Sequence, residues 1–303
     1  MTVLTFWRRG RQDQPARAAG EAAHPAPREA FVLSGGGSLG AAQVGALQAL
    51  FEAGIVPDVV IGCSVGALNA AFVAVEPTAA RAGELEKVWR GMSRDAVFPD
   101  GRFSVARRLA GRADHLYSPA GLRAVIEACV PLADLADTQI PVHVVTTDLR
   151  AGEPVWWTGG DPVEVLAASA CLPGIFPPVE LAGSVHVDGG VTCPVPTQRA
   201  LDLGATRVWV LDVARDYHGW ADDRMTAMDV LVESFAISRA HLGRQEPAAR
   251  PGQRVVSLPT LRTGRHDMRD FSRTSALISA GREAGRAMIA AERAERLTVA
   301  SAS

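Results

Sequence analysis

Residues 59–71 read VVIGCSVGALNAA and place Ser64 between Gly62 and Gly66 as Gly-x-Ser-x-Gly. A run of β-branched residues precedes the serine and an alanine-rich run follows it, the order expected where a buried strand enters a helix. A serine at such a junction is either a nucleophile held on a sharp turn or only the residue where the two elements meet. Glycine and serine are common enough for the pattern to arise by chance. The rest of the chain has to supply an oxyanion site and a base.

Working outward, residues 30–33 (AFVL) form a short apolar run that ends in SGGGSLG at 34–40. Residues 41–53 then read as a helix closed by Gly54. Residues 65–75 form a second helix, stopped near Pro77. Two strand–glycine–helix units in succession indicate a parallel sheet with crossover helices, hence an α/β fold. Further strands are expected at 141–147, 154–158, 184–187, 207–213 and 254–258, and helices at 161–170, 195–203, 225–242 and 270–293. The alternation suggests one domain over 29–290, followed by a C-terminal tail at 291–303. Residues 1–28, rich in Ala, Pro and Arg without periodicity, read as a disordered leader, with a short basic membrane tether as the alternative. Residues 77–139 are the least regular part and read as a cap-like or lid-like insertion. Within it, Phe103, Val105 and Leu109 stand beside Arg102, Arg107, Arg108 and Arg112. That pattern fits a solvated cover or a lid facing lipid.

Composition excludes several classes. The chain of 303 residues is 48% hydrophobic and 21% charged, with a formal net charge of −2, so no global attraction draws it to nucleic acid. Lys87 is the single lysine, and arginine supplies the rest of the 31 basic residues. The four cysteines (Cys63, Cys129, Cys171 and Cys193) form no C-x-x-C pair and show no metal-ligand spacing. They suit a reducing, cytoplasmic compartment. The first ten residues place their apolar members before the arginines, the reverse of a secretory signal. No stretch reaches about 18 uninterrupted apolar residues. Membrane contact, if made, would therefore be transient and peripheral, at the inner membrane face. No feature of the chain sets its oligomeric state.

The stretch SGGGSLG also satisfies G-x-G-x-x-G through Gly35, Gly37 and Gly40. A dinucleotide site needs an acidic residue at the end of the second strand to hold the ribose. Here that strand ends in Gly62-Cys63-Ser64, and its one acid, Asp58, lies at the other end. Acyl transfer makes better use of the same turns. The C-terminal ends of adjacent parallel strands lie side by side, so the first glycine turn sits next to the second. Gly35, Gly36 and Gly37 lack Cβ atoms, and their N–H groups can approach a developing oxyanion closely. The N–H of Val65, at the start of the following helix, adds a further donor, and Gly62 and Gly66 leave room for a tight turn.

Ser64 also needs a proton acceptor. HVDGGV at 186–191 places Asp188 directly after an apolar strand and before two glycines, which presents a carboxylate at a site or simply makes an Asp-Gly turn. AASACLPGIFPPV at 167–179 ends a helix in a turn stiffened by Pro173, Pro177 and Pro178.

The order GGGSLG, GCSVG, ASACLPGIFPP and VDGGV resembles the patatin-like phospholipases, a family of acyl hydrolases, over residues 30–290. The resemblance implies a three-layer α/β/α fold around a central, mostly parallel sheet. It implies a Ser64–Asp188 dyad with no triad histidine, an oxyanion loop at Gly35, Gly36 and Gly37, a lipid or acyl-ester substrate, and neither metal nor cofactor. One position departs from the family pattern: Leu39 stands where a basic residue is usual. His186 is expected to be structural. Two alternatives remain open on sequence alone. One is an α/β-hydrolase triad using His241 or His266. The other is a non-catalytic lipid-binding protein on the same fold.

Overall fold

The computed structural model describes residues 28–99, 114–214, 227–245, 247–261 and 267–302. The expected leader and the arginine-rich stretch at 102–112 lie outside these residues, except for Arg28.

Eight described strands form one sheet. They are β1 (Glu29–Leu33), β2 (Val59–Cys63), β3 (Val142–Asp148), β4 (Glu153–Trp157), β5 (Val179–Leu181), β6 (Ser184–Asp188), β7 (Arg207–Leu211) and β8 (Arg254–Ser257). The run β3-β2-β1-β7-β8 is parallel throughout. β4, β5 and β6 join it by antiparallel pairings. The three-residue β5 is absent from the sequence reading because Pro177 and Pro178, just before it, mark the stretch as a turn.

The described helices are α1 (Gly40–Glu52), α2 (Val65–Val75), α3 (Ala79–Gly91), α4 (Arg94–Val97), α5 (Ala120–Cys129), α6 (Pro162–Ala170), α7 (Thr197–Asp202), α8 (Ala227–Gly243) and α9 (Thr274–Ala302). α9 runs through residue 290, where the sequence reading ended the domain, as far as Ala302. Strand alternation divides the core between the two faces of the sheet. Phe31, Leu33, Val60, Trp209 and Leu211 point into a large cluster with α1, α2, α3 and α6. Ala30, Val32, Val59, Ile61, Val208 and Val210 point into a smaller one with Ala200 and Leu201 of α7. Helices thus cover both faces, as the three-layer expectation requires.

The pairing of β3 brings the site together. β2 pairs with Val142–Val145 and β4 with Val144–Asp148, so these two strands occupy opposite edges of β3. β6 pairs with Thr146–Asp148, where β4 already holds the other edge, so β6 lies on the edge that β2 occupies. The two strands therefore meet end to end along β3. Cys63 faces Val145 and Asp188 faces the next residue, Thr146.

The described part of residues 77–139 has both exposed and buried faces. Leu85, Trp89, Val97, Phe98, Leu122 and Ile126 are buried in the main core.

Candidate active site

Ser64 follows the last residue of β2 and precedes the first of α2. Its backbone has φ 54° and ψ −128°, a conformation that side chains rarely adopt. Close contacts hold it there. A Cβ on Gly62 would lie 2.4 Å from Ala67 Cα, and one on Gly66 would lie 2.4 Å from Leu33 O. Both expected elbow glycines are thus required by the nearness of backbone. The Ser64 N–H donates to Ser169 Oγ at 2.9 Å, and Ser169 Oγ donates to Val145 O at 2.7 Å. Ser169 lies on α6, inside the ASACLPG stretch, and pins the elbow to β3. A lone serine in a run of alanines was its one signal in the sequence.

The Ser64 hydroxyl donates to Asp188 Oδ2 at 2.7 Å. The carboxylate is held on its other side by the Gly190 N–H, which donates to Oδ1 at 2.7 Å. Its backbone is fixed as well: the Asp188 N–H donates to Cys171 O at 3.0 Å, and Thr147 Oγ1 donates to Asp188 O at 3.0 Å. Asp188 is 1% exposed. Burial pushes its pKa up to about 6, against the lowering effects of the Ser64 hydroxyl, the Gly190 N–H and the Arg239 guanidinium. A carboxylate held near that value can both accept and return a proton close to neutral pH.

The three glycines of the loop differ in what their amides meet. Gly35 does not offer its amide to the site, because that N–H donates to Pro194 O at 3.1 Å. Its role is steric: a Cβ there would lie 3.3 Å from Ser64 Cβ. Gly36 and Gly37 keep amides with no partner among the described residues. Gly37 has φ +57° and is overlaid by Met268, whose carbonyl would lie 2.6 Å from an added Cβ. Val65 opens α2, where the first N–H groups have no carbonyl to bond within the helix. Gly37, Ser64 and Val65 open onto one cavity. A polar chain braces the loop from behind: Gln43 Nε2 donates to Ser34 O at 2.8 Å and Asn69 Nδ2 to Gln43 Oε1 at 2.9 Å. Trp89 Nε1 completes it, donating to Asn69 Oδ1 at 2.9 Å.

That cavity, of about 90 Å³, is almost wholly apolar. It runs from Ser64 between Leu68 and Phe72 of α2, Val88 and Trp89 of α3, Leu122, Val125 and Ile126 of α5, and Leu166 of α6. The sequence reading did not find these residues, because a helix face that lines a cavity has the same periodicity as one that fills a core.

Of the two histidines in the triad alternative, His241 is exposed on α8 and His266 lies outside the described residues. Among the described residues no histidine bonds to Ser64 or Asp188. His186 Nδ1 sits 3.0 Å from Thr146 Oγ1, inside the sheet. Asp58 accepts the N–H groups of Arg28 and Glu29 at the far end of β1, away from the glycine turn. No group of three His, Cys, Asp or Glu side chains able to hold a metal ion occurs among the described residues.

The chain is similar to known proteins. The chain is 30% identical over 193 residues to patatin-like phospholipase domain-containing protein 7 of Mus musculus, covering 61% of this chain and 13% of that protein. It is 29% identical over 191 residues to lysophospholipase nte1 of Aspergillus terreus, covering 60% of this chain and 12% of that one. The chain thus corresponds to a small part of each of these curated relatives. VipD from Legionella pneumophila is a structural neighbour with a TM-score of 0.46 and 14% identity, over 88% of this chain and 67% of that one. The patatin-like phospholipase family model matches residues 31–201, more than half of the chain, with the glycine loop, the serine elbow and the Asp188 turn inside it. This chain belongs to the patatin-like phospholipase family.

Proposed function

We propose that the chain is a serine acyl hydrolase that cleaves carboxylic esters of lipids, with Ser64 as nucleophile and Asp188 as its proton acceptor. The observation that carries this reading is the 2.7 Å bond from the Ser64 hydroxyl to a buried carboxylate at the mouth of an apolar cavity. A serine hydroxyl is a weak nucleophile until an adjacent base takes its proton.

In the first half-reaction Ser64 Oγ attacks the ester carbonyl carbon and its proton passes to Asp188 Oδ2. The carbonyl electron pair moves onto oxygen, and the amides of Gly36, Gly37 and Val65 meet the negative charge, aided by the positive end of α2. When the intermediate collapses, the alcohol leaves with the proton that Asp188 returns, and the acyl group stays on Ser64. In the second half a water gives its proton to Asp188 and attacks the acyl carbon. Collapse releases the fatty acid and restores the Ser64 hydroxyl.

The apolar lining supports an acyl chain as the buried part of the substrate, and the lysophospholipase name of the Aspergillus relative fits the same class. Contact with a lipid surface would then be transient and peripheral, at the inner face of a membrane. No described helix is long and apolar enough to cross one.

Purified protein is expected to hydrolyse p-nitrophenyl acyl esters, with kcat/KM rising with pH through about 6 as Asp188 ionises. Ser64→Ala is expected to abolish turnover and labelling by a fluorophosphonate probe. Turnover that survives Ser64→Ala would end this reading.

A further inference from the structure

Arg239 is 7% exposed, an unusual place for a guanidinium, and the steps above make no use of it. It lies on α8 with its Cδ 3.4 Å from where a Cβ on Gly190 would sit, and Phe235 one turn earlier faces the same turn at 3.3 Å. Its Nη1 donates a short hydrogen bond to Gly35 O. Gly35 is therefore held through both peptide units that flank it, its N–H donating to Pro194 O and its C=O accepting from Arg239 and, at 3.0 Å, from the Ser34 hydroxyl. The next two residues, Gly36 and Gly37, carry the amides that have no partner among the described residues. Position 39, the other end of the same loop, is Leu and brings no charge.

We infer that Arg239 is a positioning residue for the reaction: it clamps the Gly35 carbonyl so that the following amides face Ser64, and it sets a positive charge beside the Asp188–Gly190 turn. This rests on the dyad reading above. A planar fork with fixed donors suits such a clamp better than an ammonium does.

The charged and titratable groups facing this centre come from several elements. Asp212, after β7, opposes Arg239, whose pKa burial lowers while Asp212, Cys63 and Asp188 hold it up. Cys63 of β2, Cys171 after α6 and Cys193 after the Asp188 turn are thiols raised by burial, Cys193 to about 11, and all stay neutral near pH 7. Among the described groups, the cation acting on Asp188 is then Arg239. Removing it raises the Asp188 value, and the acid limb of the rate moves to higher pH.

The test uses the full chain with p-nitrophenyl butyrate. Wild type and Ser64→Ala are compared first by turnover and fluorophosphonate labelling. A wild type that neither turns over nor labels at Ser64 overturns the dyad and this inference with it. With the dyad active, Arg239→Gln is expected to lower kcat at least about 10-fold and to move the acid limb of kcat/KM up by about one pH unit. Arg239→Lys is expected to keep the wild-type acid limb and still lose kcat, about 5-fold or more, because an ammonium lacks the planar fork. Melting temperatures are recorded for both. A folded Gln variant that loses stability alone, with kcat and acid limb unchanged, overturns the inference. Should the Gln variant fail to fold, the Lys variant decides, and wild-type kcat there overturns the clamp.

Discussion

At the scale of single residues the site is a set of polar groups held in costly environments by specific partners. Asp188 shows it in energetic terms. Its value of about 6 lies above the ordinary 3.8, so on raising the pH the unfolded chain loses this proton before the native one does. The group therefore stabilises the fold fully below pH 4, and that stabilisation disappears as pH rises through about 6. Asp188→Asn keeps a neutral side chain at all pH values. It is expected to match wild type in urea unfolding at pH 4 and to exceed it at pH 8, by up to about 3 kcal/mol. Equal gains at both pH values would refute that assignment of cause. Ser169 bears on rate instead. Its hydroxyl joins the Ser64 N–H to β3, so Ser169→Ala is expected to lower kcat by about 10- to 100-fold through a displaced elbow. Unaltered steady-state kinetics would show that Gly62 and Gly66 hold the turn without it. The residue types at positions 62, 64, 66 and 188 were legible in the sequence. The loss of Gly35 as a donor was not, because it depends on Pro194, which lies far away in sequence.

The elements are held by backbone contacts as close as those in the elbow. α1 and α9 cross where glycines allow it: a Cβ on Gly45 would lie 1.9 Å from Ile278 O, and one on Gly281 the same distance from Ala42 O. In an open helix, alanine in place of glycine gains up to about 1 kcal/mol of helix propensity. At Gly45 the clash outweighs that gain. Gly45→Ala is expected to cost about 2 kcal/mol or more in urea unfolding, since the two helices must separate. Gly83→Ala on α3, where nothing lies within 4 Å, should instead be neutral or stabilising by up to about 1 kcal/mol. Equal effects at the two sites would remove the argument from contact. Most elements were legible, α2 and its elbow most clearly, from apolar runs punctuated by glycine. α9 begins four residues later than its pattern suggested and continues well beyond it, because packing on α1 and pairing of Glu292 with Arg207 and Arg254 support a helix whose far end has little apolar periodicity of its own.

For the whole molecule the question is what the layers enclose. α2, α3, α5 and α6 do not close completely over Ser64, and the space they leave is lined almost wholly by apolar side chains. Ile126→Trp is expected to fill part of it and to lower the kcat/KM ratio of p-nitrophenyl palmitate to p-nitrophenyl butyrate by about tenfold or more. A parallel loss on both esters would place the acyl chain elsewhere. The sequence by itself determined the α/β class, the two glycine turns at the ends of β1 and β2, the serine, and the aspartate after an apolar strand. These follow from local rules, since strand and helix periods and the demands of a tight turn are written within a few residues of one another. Only the tertiary structure decided that β6 would run antiparallel onto β3 just beyond β2, on the same edge. Strand register depends on pairings between residues distant in the chain, Cys63 with Val145 and Thr146 with Asp188, and that register sets a carboxylate 2.7 Å from the Ser64 hydroxyl. The same long-range packing buried Arg239 behind the glycine loop, where an amphipathic pattern would have left it in water.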